Sequence, residues 1–365
     1  MPRNVVLCCD GTANEFAQDK TNVVKLFYTL VQDRRQIAYY HPGVGTMEPA
    51  GAMSPLRRRF YKLLGTAFGY GLTGDVAAAY TFLMNHFEHG DRVFLFGFSR
   101  GAYTVRAVAA LLHMYGLIRR GNEALVPYAI ELLVGIDRGN RKNKAAPALF
   151  RLAHEFKRTF SGIACKPWFV GIWDTVDSVG WIEHPLRLPY TADNPDIEYG
   201  RHAVSIDERR AFYRANLWHR RQPPQGGPRD LKQVWFPGVH CDIGGGYPER
   251  ESALSKIPLR WMLREAARAG LRLDRARVAE VLGRSGTEYV PPDPTAPMHH
   301  SLQGLWWLAE IIPKRHYDWT TGTERRRLNL GRRRTVPVDA LVHVSALQRG
   351  PEYRAALPPR VDYVN

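Results

Sequence analysis

The residue pattern in this chain best suited to chemistry is Gly97-Phe98-Ser99-Arg100-Gly101, a serine flanked by glycines. A serine hydroxyl becomes a nucleophile only when an imidazole takes its proton, and that imidazole needs a carboxylate to fix its tautomer. Asp174 directly follows the apolar run Pro167 to Trp173, and His240 follows Val234-Trp235-Phe236 by a few residues. Ser99, Asp174 and His240 are therefore the candidate nucleophile, acid and base. Asp177 competes as the acid, and His202, His219, His299, His300 and His343 compete as the base. The expected oxyanion donors are the backbone N–H of Arg100 and one from Gly11 or Thr12. Such N–H groups are aimed at charge that develops only in the transition state. Asp10, Arg106 and Asp242 are expected to border the substrate; Arg106 reads equally as a helix-surface residue, and Asp242 as one that orients its loop.

These residues need elements that bring them together. Val93 to Phe96 is a short buried-strand run, and Val105, Val108, Ala109, Leu112 and Tyr115 follow at helical spacing. A strand that turns into a helix across G-x-S-x-G forms a nucleophile elbow, with the serine lifted to the carboxyl end of a sheet. Before it come a strand at Asn4 to Cys9, a helix capped by Thr21-Asn22 and running to about Gln32, a strand at Gln36 to Tyr40, and a helix around Gly74 to Phe87. This alternation predicts an α/β fold of α/β-hydrolase type, a mostly parallel central sheet with helices on both faces. The strand order predicts that Asn4 to Cys9 corresponds to the third strand of the usual hydrolase sheet. Residues from about 122 to 160 read as a basic helical, lid-like insertion, equally consistent with a helical excursion on the surface. Ser205 to Ala215 reads as a short helix, Val234 to Phe236 as the last core strand, and Ser255 to Ala269 as a helix. The glycine run Gly244 to Gly246 is expected to let the backbone pass close to substrate. One catalytic unit over 1–290 with a C-terminal wrap over 291–365 is the expected organisation.

Composition narrows the class. With 51 Lys and Arg against 35 Asp and Glu, the net charge of +16 favours anionic partners, or else marks a solvated arginine-rich face. No apolar run reaches the ~18–20 residues that span a bilayer, and Val5 to Cys9 is too short for a signal-peptide core. The expectation is a cytoplasmic protein. Four cysteines, two adjacent and two distant, fit neither a disulfide framework nor a zinc site. No metal or other cofactor is expected, and no nucleic-acid-binding motif is visible.

The segments LCCDGTAN, TNVVKL, YYHPGVGT, FLFGFSRGAYTVRAVA, VGIWDTVDSVG, HAVSIDERR and VWFPGVHCDIGGGY resemble, in order, those of an α/β-hydrolase domain family of uncharacterised function. That family includes type VI secretion phospholipase effectors of the first lipase-effector group. The resemblance implies a Ser-Asp-His carboxylic-ester hydrolase, with phospholipase activity in the secreted members. It carries the nucleophile to Ser99, the acid to Asp174 and the base to His240. The chain departs from the pattern at Asp177, where the family usually has glycine, and at Cys241, where serine is common.

The leading expectation is thus a serine hydrolase of small-molecule or lipid esters, in peripheral contact with an anionic membrane. A metal-dependent phosphoesterase using Asp10, Asp174, His240 and Asp242 is one alternative. A non-catalytic binder of anionic surfaces or nucleic acid is the other.

Overall fold

A computed structural model of the chain describes residues 2–11, 19–43, 68–141, 146–176, 180–181, 184–185, 188–211, 213–218, 227–284, 286, 288–304, 306–311, 313–318 and 323–365. Eight strands form one sheet: β1 (Asn4–Cys9), β2 (Gln36–His41), β3 (Arg92–Phe98), β4 (Pro167–Trp173), β5 (Tyr199–Ser205), β6 (Asp230–Phe236), β7 (Ala340–His343) and β8 (Val361–Val364). Their spatial order is β8-β7-β6-β5-β4-β3-β1-β2, and every neighbouring pair is parallel. All carboxyl ends therefore emerge at one edge, which is what the candidate residues require. Parallel neighbours need crossovers. The main helices available for them are α1 (Asn22–Thr29), α2 (Phe68–His86), α3 (Arg100–Tyr115), α4 (Val126–Arg141), α5 (Ala146–Phe160), α6 (His240–Gly244) and α7 (Lys256–Arg268). The fold is α/β-hydrolase-like.

Strand alternation explains the two-sided core. Val5, Leu7, Val93 and Leu95 pack with α2, α3 and the helical insertion on one face. Val6, Cys8, Phe94 and Phe96 pack with α1 and α7 on the other. Successive side chains point to opposite faces, so a strand buried on both must be apolar throughout. At the start of α1 the Thr21 hydroxyl accepts the Val24 N–H at 3.3 Å, a conventional N-cap. The helix stops at Thr29 rather than Gln32, because Leu30 turns extended and bridges to Leu273.

Two expectations change. The stretch ending at Ser205 is strand β5, central in the sheet, and the described residues from Ile206 to Ala215 form no helix. Val234 to Phe236 is not in the last strand, since β7 and β8 extend the sheet beyond β6. The insertion is helical, and Phe156 of α5 packs on Tyr115 at the far end of α3, with ring centroids 5.3 Å apart. Tyr115 lies roughly 24 Å along the helix from Ser99 at 1.5 Å per residue. At that end the pair builds core around Ile130, Leu133 and Ala153.

Candidate active site

β3 ends at Phe98 and α3 begins at Arg100, so Ser99 alone makes the turn, with φ of 58° and ψ of −116°. A non-glycine residue in this region is strained and persists only where its surroundings enforce it. Here the Ser99 N–H donates to the Trp173 carbonyl at 3.1 Å, tying the elbow to β4. The flanking glycines permit the close approach. A Cβ on Gly101 would strike the Cys9 carbonyl, and one on Gly97 the Gly101 carbonyl.

Asp174, the first residue after β4, also has positive φ, 41°, and is fully buried. His240 opens α6 and is 2% exposed. Its Nδ1 lies 2.6 Å from Asp174 Oδ2. An ionised carboxylate only accepts hydrogen bonds, so Nδ1 carries the proton and Nε2 is left bare. Among the described residues Nε2 has no hydrogen-bond partner. The imidazole is held between Phe98, the residue before the serine, at 4.6 Å between ring centroids, and Tyr213 at 4.7 Å. Ser99 itself is 6% exposed. Burial disfavours the charge on Asp174, but the Arg334 guanidinium and His240 outweigh it and hold the carboxyl well below the ordinary aspartate range. Burial also lowers His240 below the ordinary imidazole value, against the opposing pull of Asp174. The imidazole is therefore neutral at pH 7, as a proton acceptor must be.

The other expected residues are distributed as follows. Arg100 is the first residue of α3, where N–H groups lack a preceding helical carbonyl. Gly11 lies against it, with an ideal Cβ position 2.6 Å from the Arg100 nitrogen. Its own N–H, however, donates to Asp10 Oδ1 at 2.8 Å. Of the Gly11/Thr12 pair this leaves Thr12, which with Asp177 and His219 lies outside the described residues. Asp10 also accepts from the Thr21 hydroxyl and, at 3.3 Å, from Tyr40, so it braces its loop rather than bordering substrate. Arg106 lies neither at a helix surface nor against Asp174 or His240. It is 1% exposed and donates to the Thr191 and Asn216 carbonyls at 2.7 and 2.6 Å. Asp242 accepts the Val239 N–H at 3.0 Å and pairs with His299 at 2.7 Å, which makes it a loop-orienting residue. Gly244 of the glycine run is packed against the Phe98 ring, so that glycine serves close packing.

Three of the rival histidines, His202, His299 and His343, are otherwise engaged. His202 on β5 accepts the Thr175 N–H at Nε2, 3.2 Å away, and His343 stacks on Phe236 at 4.7 Å. The four residues of the metal reading do not converge, and no group of three potential ligands occurs among the described residues. Sequence reasoning missed Glu208, Arg210, Tyr213 and Arg334. Glu208 accepts the His240 N–H at 3.1 Å and pairs with Arg210 at 2.9 Å, and the Arg210 guanidinium sits 3.6 Å from the Tyr213 ring centroid. The Glu-x-Arg spacing inside HAVSIDERR was the available signal for the first two.

The family model described as "T6SS, Phospholipase effector Tle1-like, catalytic domain" matches residues 3–265. An uncharacterised protein of Saccharomyces cerevisiae, YEL023C, is 37% identical over 222 residues, 58% of this chain and 32% of the yeast protein. The chain thus spans about a third of that relative's length. A crystal structure of an uncharacterised Pseudomonas aeruginosa protein is 21% identical with a TM-score of 0.46, covering 79% of this chain and 49% of the other. The structure of a Tle1 effector bound to the VgrG spike of the type VI secretion system is 16% identical with a TM-score of 0.35, covering 69% and 52%.

Proposed function

This chain belongs to the type VI secretion Tle1-like phospholipase effector catalytic-domain family, and on that premise we propose that it is a serine hydrolase of lipid carboxylic esters. The observation that carries the reading is the buried His240–Asp174 pair at 2.6 Å, with Nε2 bare and the imidazole ring held against the residue that precedes Ser99. In the proposed reaction Nε2 takes the proton of Ser99 as Oγ attacks the ester carbonyl. The N–H of Arg100, with one from Thr12, receives the oxyanion, an interaction worth on the order of 3 kcal/mol per donor. His240 then returns the proton to the leaving alcohol, and water repeats the sequence to release the acid.

A lipid substrate is supported by the surface beside the triad. Trp306 packs edge-on against Tyr213 at 5.6 Å, and the neighbouring Trp307, Leu308 and Ile311 are exposed. Arg325, Arg326 and Arg327 are exposed on a nearby stretch of chain. Apolar side chains with adjoining arginines suit the face of an anionic bilayer. Among the described residues no helix is long and apolar enough to cross one.

The test is hydrolysis of short acyl esters and of anionic phospholipid vesicles, alongside covalent labelling by a fluorophosphonate. Wild-type protein should label at Ser99, and Ser99→Ala should lose both labelling and turnover. Undiminished turnover in Ser99→Ala would sink the reading.

A further inference from the structure

Both oxygens of Asp174 are shared with a residue far along the chain. Arg334 Nη1 donates to Oδ1 at 2.5 Å and Nη2 to Oδ2 at 3.1 Å, the two-pronged geometry that only a guanidinium supplies. The same side chain donates to Ser205 Oγ at 2.7 Å and, through Nε, to the Tyr213 carbonyl at 3.0 Å. Ser205 in turn gives its N–H to Asp174 at 2.9 Å. Arg334 therefore fixes the acid and also the backbone of the aromatic residue that covers the imidazole. It lies beyond the family-matched stretch, which ends at residue 265.

From this geometry we infer that Arg334 is a positioning residue of the triad, one that holds Asp174 in register with His240 and offsets its charge in the resting enzyme. The inference rests on the serine-hydrolase reading. The charged groups around His240 are Asp174 behind Nδ1, Glu208 at its N–H, Arg210 paired to Glu208, and Arg334 paired to Asp174. Tyr213 and Cys241 are the neighbouring titratable groups, and burial raises both above their ordinary values. Two carboxylates face two guanidiniums, so the imidazole sits in a near-balanced field. Removing Arg334 leaves that field net negative and favours the imidazolium. Activity requires neutral His240, so the acidic limb of the pH–rate profile moves upward. A residue that merely fills space would lower the rate without moving the limb.

The experiment compares full-length wild type, Arg334→Gln and Arg334→Lys, using kcat/KM for a nitrophenyl ester from pH 4 to 9 and fluorophosphonate labelling of Ser99. For Arg334→Gln, kcat should fall on the order of a hundredfold with KM nearly constant, because the acid loses its register. The acidic limb should rise by about one pH unit. Arg334→Lys restores the charge but not the fork, so the limb should return while kcat recovers only in part. If the Gln variant does not fold, the Lys variant decides alone: an unmoved kcat, or a raised limb, overturns the inference. A limb in Arg334→Gln that coincides with the wild type overturns it too. Wild type that fails to label at Ser99 overturns the serine reading and this inference together. Labelled wild type with an unmoved limb overturns the inference alone.

Discussion

Asp174→Asn separates geometry from charge at the triad. The Asp174 oxygens accept from His240 Nδ1, Ser205 N–H, Ser205 Oγ and both Arg334 prongs. An asparagine fits the same space, but its Nδ2 would take the place of Oδ2, 2.6 Å from Nδ1. Two donors cannot face each other there, so the imidazole proton shifts to Nε2, which can then no longer accept from Ser99. The expected loss in kcat is on the order of 10³–10⁴, or about 4–5.5 kcal/mol of transition-state stabilisation. Stability should fall as well, because Arg334 keeps its charge with only 9% of its side chain exposed and loses its counterion. Breaking a buried pair from one side costs roughly 3–5 kcal/mol. Asp174→Asn combined with Arg334→Gln removes the stranded charge, so it should recover much of the stability yet stay as inactive as the single variant. Initial rates on a nitrophenyl ester and urea unfolding read the two effects separately. Activity of Asp174→Asn within tenfold of wild type would remove Asp174 from the acid's role and turn attention to Asp177.

Ser99→Gly should be inactive yet more stable than Ser99→Ala by about 1 kcal/mol, because glycine takes φ of 58° without strain; equal urea midpoints would contradict a strained elbow. Acid should destabilise the fold before its carboxylates titrate. Burial lowers His202 from 6.5 to about 3 and His343 from 6.5 to about 4. A histidine depressed in the folded state contributes stability that is present above its unfolded value and is lost as pH falls. From pH 6.5 to 4 the unfolded chain binds both protons first, a loss of up to about 2.7 kcal/mol per pH unit. His299, raised by its bond to Asp242, works in the opposite direction and offsets part of this. Urea midpoints at pH 7 and 5 measure the net effect, and a higher midpoint at pH 5 would refute it.

The parts legible in the sequence are those whose signals are local. The elbow announces itself through a change from strand run to helical spacing across two glycines, and Thr21 caps its helix through a bond three residues away. β5 stayed hidden because Arg201, His202 and Ser205 look like surface residues. In the fold Arg201 pairs with buried Glu265 at 2.7 Å and His202 takes the Thr175 N–H, partners 64 and 27 residues distant. β7 and β8 are short and lie in Arg- and Pro-rich sequence. Arg106 follows the same logic, since its charge suggested substrate or solvent while its real partners are backbone carbonyls of later loops.

Arg334 is the extreme case, and the topology explains why. Arg332, Arg333 and Arg334 form one run, and nothing in their types distinguishes the member that is buried. After β6 the chain must return to the same sheet edge to add β7 in parallel, so the long connection has to pass the carboxyl ends where Ser99, Asp174 and His240 sit. That passage lets Ser301 reach Glu208 at 3.0 Å, Glu310 take the Ala211 N–H at 2.6 Å, and Arg334 close on Asp174. The two outermost strands on that side thus do more than widen the sheet: they anchor the far end of the segment that contacts Glu208 and Asp174. Loosening β7 and β8 should therefore reach the chemistry through Arg334, although neither strand supplies a catalytic group.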